Sequence, residues 1–480
     1  MDDAALLSRL ALEIDHPNAT RLANAVVALI EAGDIPPEYK LPPIRMVADA
    51  LGMSPAAVGQ SWKQLRAKGV IETKTRGGTT VLGPPRAQHP LRFAQLRDVV
   101  GRTRVDLGRP RPDSRLLPDL GGALAEVVRR ADDLNRSDPP PITPELRAAV
   151  ERHWPFAAGA VVAVHRGIDG VEHALTAMLE RGDVVAVEDP TVPRVLDIID
   201  RIGARALPIG WQDDGPDLRE LTRAFHAGAK VFVLQPNGHS PTGLSVSRSW
   251  IDEAAELVRR ADARVVEFDN FPLLHPERRT LGRHVPGATV LVEGYSHSHG
   301  LDIQVAVVGG PKAVIARIEQ QIAYSHRWVS RVMQDALAAQ LASAEASIVV
   351  RDASEEYQRR HAQARDWLTA RGFAMAEATS APSLWIPVVD DEAVVRRLAE
   401  RGIGVLPGSV FEQRRGARRH IHVNAALPLA ELGDDLEQIA EVAESVAEEA
   451  LAQRRERYRA ERHQLEDAPA DPSQWSGYMI

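Results

Sequence analysis

The sequence of 480 residues contains no cysteine and only six lysines, and aromatic residues make up 5% of it. Without cysteine the chain can form no disulfide bond, no thiolate metal site and no cysteine nucleophile. No apolar run approaches the roughly 18 residues needed to span a bilayer. The N-terminus also lacks the basic-then-apolar order of a signal peptide. We therefore expect a cytoplasmic protein that is not embedded in a membrane.

The chain otherwise has the balance of a globular protein, with 44% hydrophobic and 26% charged residues. At this length a single hydrophobic core is not expected, so two or three domains are predicted. The net charge is −8, yet between residues 40 and 86 eight lysines and arginines face only two acidic residues. This basic segment favours a polyanionic partner, whereas the rest of the chain repels one.

The first 83 residues show helical and hairpin patterns. Apolar residues recur at helical spacing over residues 19–32 and 46–51, and Ser54-Pro55 is a typical opening for a third helix. Two β-rich runs around a Gly-Gly turn predict a hairpin over residues 70–82. Two helices joined by a glycine-containing turn and followed by a hairpin form a winged helix-turn-helix domain.

This segment carries two motifs of a known family. The first reads Leu41-Pro-Pro-Ile-Arg-x-x-Ala-x-x-Leu51, and the second is Arg-Gly-Gly at residues 76–78. Together they resemble the GntR family of bacterial regulators. The resemblance implies that the third helix faces DNA and that the wing touches the adjoining backbone. The DNA-binding residues it implies are Arg45, Ser54, Gln60, Lys63, Arg76, Gly77 and Thr79.

The start of the third helix departs from this family. Pro55, Ala56 and Ala57 stand where the family commonly carries Arg, Asn and Thr. Fewer side chains can therefore reach the edges of the bases. The alternative interpretation of the whole segment is a helical oligomerisation module with a basic surface.

From residue 106 onward, predicted helices alternate with short β-rich runs such as 161–164, 184–187 and 231–234. This alternation implies a largely parallel sheet with helices on both faces. Ligands of such sheets bind beyond the carboxyl ends of the strands. The predicted organisation is a DNA-binding domain at 1–83, a linker at 84–105, a large domain at 106–350, a small domain at 351–455, and a charged helix end with a flexible tail at 456–480.

Four segments of the second region, 182–191, 236–243, 293–311 and 402–411, resemble class I and II aminotransferases in content and order. A GntR-like winged helix fused to such a domain resembles the MocR subgroup of transcription regulators. The implied fold is α/β, a fold type I aminotransferase-like domain with a smaller C-terminal α+β subdomain. In that subgroup the large domain senses pyridoxal phosphate or its adducts. Because the fold builds its pockets near a subunit interface, a homodimer is also implied.

The positions that would hold pyridoxal phosphate have changed. His297 stands at the Schiff-base lysine, and an imidazole cannot form that imine. Gln304 stands at the arginine seven residues later, and Val192 replaces a ring that stacks on the pyridine. Phe268 stands at the acid that protonates the pyridine nitrogen. Asp269 is one residue along and substitutes only if the strand end is irregular.

Two further contacts are altered in the same way. Ser240 stands where an asparagine donates to the phenolic oxygen; a serine is shorter but could still donate. His422 replaces the arginine that grips a substrate carboxylate. The turn near Gly170 still offers backbone amides at a helix N-terminus. We call the whole set the candidate pocket: Gly170, Val192, Ser240, Phe268, Asp269, Ser296, His297, Gln304 and His422.

The lysine count supports the same interpretation. Four of the six lysines lie in the winged-helix segment, and neither Lys230 nor Lys312 sits in a Schiff-base context. We therefore expect no covalent aldimine, and pyridoxal phosphate is implied by the family resemblance alone. The pocket is expected to hold an unknown small-molecule effector instead.

Four histidines, His239, His297, His299 and His422, fall in segments that would converge on the candidate pocket. Alternation along an extended run would place His297 and His299 on one face, where they could bind a metal. Against this, no carboxylate stands at a convincing ligand spacing, so no metal is expected. The alternative is that the imidazoles fill the space that Lys, Arg and phosphate would occupy.

The sequence thus predicts a DNA-binding transcription regulator that is not an enzyme and acts on a double-stranded operator. Two alternatives remain open. The first is a working pyridoxal phosphate-dependent aminotransferase, or a regulator that keeps its cofactor, with an added DNA-binding domain. The second is a scaffold whose large domain only dimerises the DNA-binding domains.

Overall fold

The structure is a computed structural model of the whole chain. It describes residues 3–14, 17–36, 38–67, 69–74, 78–82, 92, 103–129, 140–275, 277–325, 327–376, 382–414 and 419–466. The chain divides into two compact units, Met1–His89 and Pro90–Ile480. Among the described helices, none has the length and apolar character required to cross a membrane.

The first unit is a winged helix. Its helices and strands are α1 (Asp3–Glu13), α2 (Ala19–Glu31), β1 (Lys40–Leu41), α3 (Ile44–Leu51), α4 (Pro55–Ala67), β2 (Ile71–Lys74) and β3 (Gly78–Val81). The strands form an antiparallel sheet in the order β1-β3-β2. Helix α1 was not predicted, although it buries Leu6 and Leu10 in the core of this unit.

The helix-turn-helix forms for the local reasons that the sequence suggests. Gly52 ends α3 in the left-handed region at φ 61°, a conformation that glycine adopts without steric cost. The Ser54 hydroxyl accepts a hydrogen bond from the Ala57 amide at 3.2 Å and so caps α4. Trp62, together with Val58 and Leu65, forms the buried stripe of α4. The predicted helix-turn-helix is confirmed.

The second unit is built on an eight-stranded mixed sheet in the order β5-β12-β11-β10-β9-β6-β7-β8. Strand β12 is antiparallel to both of its neighbours and β8 is antiparallel to β7, whereas the remaining pairs are parallel. The strands are β5 (Ala160–Val164), β6 (Val184–Asp189), β7 (Arg205–Gln212), β8 (Gly215–Pro216), β9 (Ala229–Leu234), β10 (Arg264–Asp269), β11 (Thr289–Gly294) and β12 (Ala306–Gly310).

Helices cover both faces of this sheet. They are α5 (Leu120–Arg129), α6 (Pro144–Glu151), α7 (Gly167–Met178), α8 (Pro193–Ile202), α9 (Leu218–His226), α10 (Arg248–Ala261), α11 (Ser296–His299), α12 (Lys312–Tyr324) and α13 (Arg331–Ala342). Val266 and Phe268 pack with α7, α8 and α12, whereas the intervening Val265 packs with α9 and α10. This alternation confirms the predicted sheet that is covered on both faces.

A smaller sheet lies in the last part of the second unit. Its strands are β13 (Ser383–Val388), β15 (Leu406–Pro407) and β16 (Arg419–Asn424), in the antiparallel order β13-β16-β15. The short strand β4 (Val105–Asp106) pairs in parallel with β14 (Ile403–Gly404). The accompanying helices are α14 (Ala344–Ala370), α15 (Asp391–Glu400) and α16 (Leu429–Glu466).

The proposed domain limits within this unit remain predictions. Helix α14 continues through the expected boundary at residues 350 and 351, and α16 continues beyond residue 455. Most of the expected linker at 84–105, and the tail from residue 467, lie outside the described residues.

Candidate functional site

One face of the first unit carries exposed polar residues. On α4, Gln60 and Lys63 are exposed together with Ala56, at spacings of four and seven residues. Arg45 is exposed on α3. Because the opposite face of α4 is buried, these side chains are the ones available to a partner. The assignment of Arg45, Gln60 and Lys63 to DNA nevertheless remains a prediction.

The other expected DNA contacts differ in what they do locally. Ser54 is exposed, but its hydroxyl already serves as the cap of α4. Thr79 is half-buried, and its Oγ1 lies 3.1 Å from Thr73 Oγ1 across the hairpin. Arg76 and Gly77 lie outside the described residues.

One contact in this unit was missed by sequence reasoning. Arg66, in the last turn of α4, donates from Nη1 to Thr73 Oγ1 at 3.0 Å. Since Thr73 also contacts Thr79, the end of α4 is linked to both strands of the wing. Its sequence signal was only one basic residue among several.

In the second unit, the ends of β10 and β11 form the centre of the candidate pocket. Phe268 lies in the apolar cluster beneath α7, and half-buried Val192 packs against the same cluster. Asp269 faces the other way. Its Oδ1 accepts from the Phe271 amide at 2.9 Å and lies 3.5 Å from His275 Nε2. The strand end is thus regular, so Phe268 and Asp269 occupy opposite faces.

Two glycines of α7 permit this packing. A Cβ atom on Gly167 would lie 2.7 Å from Phe268 Cε2 and 3.0 Å from Asn270 Oδ1. A Cβ atom on Gly170 would lie 2.7 Å from Val292 Cγ1. The two distances of 2.7 Å are shorter than real Cβ contacts. Helix α7 can therefore approach the sheet this closely because both residues are glycine. Gly170 therefore packs against the sheet at Val292 and Val308.

His297 is half-buried near the start of α11. Its Nε2 donates to the Pro110 carbonyl at 3.2 Å, and its ring centroid lies 4.9 Å from that of Phe271. Burial lowers the pKa of His297, although the carbonyl groups of Pro110 and Asn270 favour its charged form. The imidazole is therefore uncharged near neutral pH.

The neighbouring candidates on this segment do not point at a common centre. Ser296 is half-buried and opens α11, and its carbonyl accepts from the Gly300 amide at 3.3 Å. Gln304 is exposed in the left-handed region at φ 49°. Its amide donates to the Leu301 carbonyl at 2.6 Å.

His422 lies on β16 and is buried. Its Nδ1 donates to the Gly108 carbonyl at 3.2 Å, and its Nε2 therefore accepts from the Ser383 hydroxyl at 3.1 Å. Burial lowers the pKa of His422 to about 4. The structure thus brings His297 and His422 to the same short segment, residues 108–110. No sequence pattern suggested that segment.

Ser240 precedes a cis proline, and its amide donates to Gln235 Oε1 at 3.3 Å. His239 is held by Thr242 at 2.8 Å and packs on Trp211, with ring centroids 4.6 Å apart. It lies 3.8 Å from Glu188, and burial lowers its pKa to about 3. His239 thus belongs to a separate buried cluster at the end of β6.

The expectation that His297 and His299 share one face of an extended run is wrong, because residues 296–299 are helical. His299 is buried, and its Nδ1 lies 2.9 Å from Ser298 Oγ. Its ring packs edge-on against Tyr295. Within the described part of the chain, no group of three or more His, Cys, Asp or Glu residues is arranged to hold a metal ion.

Sequence reasoning also missed a buried ion cluster on the Asp269 face. Arg278 pairs with Glu293 and lies 3.6 Å from Asp269 Oδ2. The Tyr295 hydroxyl donates to Glu293 at 2.5 Å. Asp269 and Glu293 are register partners on β10 and β11, which is why their carboxylates meet. Their positions at adjacent strand ends were the only available signal.

Comparison with known families agrees with this architecture. Residues 105–439 match the family of class I and II aminotransferases, and residues 18–81 match the gntR family of bacterial regulatory proteins. The chain therefore belongs to the class I and II aminotransferase family. With its N-terminal GntR domain, it is a DNA-binding transcription regulator that has an aminotransferase-like domain.

Individual relatives refine this class. The vitamin B6 salvage pathway transcriptional repressor PtsJ of Salmonella typhimurium is 28% identical over 416 residues, which cover 83% of this chain and 92% of PtsJ. The probable rhizopine catabolism regulatory protein MocR of Rhizobium meliloti is 23% identical over 363 residues, covering 68% and 72%. The chain is thus a GntR regulator of the MocR type.

Solved structures share the fold of the second unit. Kynurenine aminotransferase of Pyrococcus horikoshii superposes with a TM-score of 0.66 at 16% identity, covering 74% of this chain and 94% of that one. A single mutant of Thermus thermophilus aspartate aminotransferase gives 0.64 at 24% identity, covering 74% and 96%. At such identities the likeness establishes the fold alone.

Proposed function

We propose that this regulator uses its aminotransferase-like domain as a dimerising effector sensor that has lost pyridoxal chemistry. The observation that carries the proposal is His297. By the resemblance to aminotransferases it stands at the position of the Schiff-base lysine, and its Nε2 donates to the Pro110 carbonyl. An imidazole at this position cannot form an imine with an aldehyde.

Neither lysine of the second unit, Lys230 or Lys312, is placed to take over. Lys230 lies at the beginning of β9 and pairs with Asp183 at 2.7 Å. Lys312 begins α12, directly after the end of β12, which lies beside the start of β5. Both lysines are therefore at the amino ends of the parallel strands, whereas Phe268 lies near the carboxyl end of β10 and His297 follows that of β11.

The surroundings of His297 also fit pyridoxal phosphate poorly. Gln304 supplies no positive charge for a phosphate, and its amide is used by Leu301. Phe268 supplies no carboxylate for the pyridine nitrogen, and Asp269 faces the opposite side. His422 is uncharged, so it cannot replace a guanidinium that grips a carboxylate. The candidate pocket therefore lacks the groups that would hold this cofactor for catalysis.

The DNA-binding half of the proposal assigns contacts to the exposed face of the winged helix. Arg45, Gln60 and Lys63 would reach DNA, Ser54 would orient α4, and the wing at residues 76–79 would touch the backbone. A homodimer through the second unit would present two winged helices to paired operator half-sites. Because the partner is chromosomal DNA, we place the protein in the cytoplasm.

PtsJ supports a second candidate, since its name links it to vitamin B6 salvage and this chain spans 92% of its length. A regulator of this kind could respond to a pyridoxal compound that binds without a covalent bond. This candidate retains DNA binding and dimerisation but requires pyridoxal phosphate to occupy the candidate pocket.

Pyridoxal phosphate added to the purified protein separates the two candidates. Loss of pyridoxal chemistry predicts no visible aldimine absorbance, no borohydride-stable adduct in the candidate pocket and no change in operator affinity. A changed operator affinity without an adduct would favour the second candidate. A borohydride-stable pyridoxyl group on Lys230 or Lys312 with turnover of an amino acid would refute both.

A further inference from the structure

A short segment crosses between His297 and His422, and we call residues 107–111 the strap. It follows β4 directly. Its carbonyl groups accept hydrogen bonds along its length: Gly108 from His422 Nδ1 and Pro110 from His297 Nε2, both at 3.2 Å. Since both acceptors are carbonyl oxygens, each imidazole must be the donor.

Hydrogen bonds from β16 of the smaller sheet hold both ends of the strap. The Asn424 amide donates to the Leu107 carbonyl at 2.6 Å, and its side chain donates to the Arg111 carbonyl at 3.1 Å. Asp106, the last residue of β4, accepts from the strap amides of Gly108 at 3.1 Å and Arg109 at 3.2 Å. His297 is the contact described here that ties the strap to the large sheet's strand ends.

Contacts hold the chain on both sides of the strap. Beyond it, Asp113 is buried and pairs with Arg360 at 2.9 Å, while its amide donates to the Tyr357 hydroxyl at 3.0 Å. Before it, the two residues of β4 pair with β14. The chain that precedes β4 leads to the DNA-binding unit.

We propose that the N–H groups of His297 and His422 form an effector site for a small peptide-like molecule with two carbonyl acceptors. In the absence of effector the strap occupies this site, and effector binding displaces the strap and changes DNA affinity. The inference rests on the proposed function, because it assumes that the pocket senses a ligand.

The chemistry of the two donors selects this ligand class. Each imidazole donates to a backbone carbonyl, so a ligand that displaces the strap must offer an acceptor to each N–H. An amide carbonyl has the chemistry of the strap groups it would replace. Gly108 and Pro110 are two residues apart, which separates their acceptors by at most about 7 Å in an extended chain.

Substitutions that remove or retain one donor test the strap. His297→Leu removes the Nε2 donor, whereas His297→Gln keeps an amide donor of similar reach. We expect His297→Leu to speed amide exchange of Leu107, Gly108, Arg109 and Arg111 about tenfold and to change operator affinity by at least threefold. His297→Gln should match the wild type in both. His422→Leu and His422→Asn form the second pair, because an Asn amide matches the Nδ1 position.

Each outcome has a distinct meaning. Unchanged exchange in a folded His297→Leu protein would overturn the strap, and this variant stays informative even if buried His422→Leu fails to fold. Faster exchange with unchanged operator affinity would overturn the coupling to DNA. Both results leave DNA binding and the absence of an aldimine untouched, so they do not refute the proposed function.

The ligand class is tested with a blocked peptide that has the strap's own sequence, acetyl-Leu-Gly-Arg-Pro-Arg-amide. The peptide is added to the full-length protein. At millimolar concentration it should speed exchange of residues 107–111 in the wild type but not in His297→Leu. A peptide with the same composition in scrambled order is the control. Equal effects of both peptides, or no effect of either, would refute the peptide-like class.

Discussion

The two functional regions of this chain differ in how their chemistry is distributed. In the winged helix, the polar groups available to a partner are exposed and separate, such as Arg45, Gln60 and Lys63. In the candidate pocket, the groups are buried or half-buried and tied to backbone carbonyls, as His297 and His422 are. A surface of separate contacts can lose one and still bind, because each contributes a small free energy. A catalytic pocket depends on a few groups acting together.

The frame of the pocket is nevertheless intact, because it depends on different residues. Close packing of α7 on the sheet requires Gly167 and Gly170, and alternation along β10 places Val266 and Phe268 on the α7 face. None of these requirements involves the cofactor. The fold can therefore persist while its polar centre changes.

An attempt to restore chemistry in the candidate pocket is the strongest test of this difference. His297→Lys alone should leave transamination absent, because Gln304, Phe268 and His422 still fail to hold phosphate, pyridine nitrogen and substrate carboxylate. Orientation and electrostatic stabilisation supply much of the rate in such sites, on the order of 10⁵-fold or more. Absorbance and amino-acid turnover are the measurements. Measurable turnover by this single variant would contradict the proposed loss.

The packing of α7 on the large sheet can be tested at Gly170. In Gly170→Ala the new methyl group would stand 2.7 Å from Val292 Cγ1, so we expect a loss of about 1–3 kcal/mol in the free energy of unfolding. Gly59→Ala on α4 is the matched control, since nothing lies within 4 Å of its Cβ position. That variant should gain up to about 1 kcal/mol from helix propensity. If urea unfolding gave equal changes in the free energy of unfolding for Gly170→Ala and Gly59→Ala, close packing at Gly170 would be refuted.

Substitution of Arg45 tests whether this side chain contacts DNA. Arg45→Ala should weaken operator binding by about 1–3 kcal/mol if the side chain reads a base. If it meets a phosphate instead, the salt dependence of binding should fall by about one unit. Titrations at several salt concentrations distinguish the two, and Arg351→Ala in the second unit serves as a control. An unchanged affinity and salt slope would exclude Arg45 from the interface.

The burial of His422 in the candidate pocket predicts that the free energy of unfolding depends on pH. His422 has a folded pKa of about 4, below the ordinary value near 6.5, so the unfolded chain binds its proton first as the pH falls. Its contribution to stability is complete above about pH 6.5 and declines by about 1.4 kcal/mol per pH unit down to pH 4. His422→Asn does not titrate in this range, so its free energy of unfolding should rise relative to that of the wild type as the pH falls from 7.5 to 5. A difference that does not vary with pH would refute an uncharged, buried His422.

Much of the architecture follows from periodicity in the sequence. Helical spacing and the Ser54 cap predicted the helix-turn-helix, and short apolar runs predicted strands such as β5, β6 and β9. These elements form because neighbouring residues determine which face is apolar. The same patterns did not predict α1, whose Leu6 and Leu10 are buried only by packing on the rest of the first unit.

The identities of the pocket residues were also available from sequence, but their partners were not. Residues 296–299 are helical, so His299 turns away from His297 to Ser298 and Tyr295. The His297 contact with Pro110 joins residues 187 positions apart, and the His422 contact with Gly108 spans 314 positions. Local pattern specifies which elements form and which residue types they carry. Only the tertiary structure decides which distant backbone groups lie within hydrogen-bonding distance of those side chains, because chain separation carries no information about spatial separation.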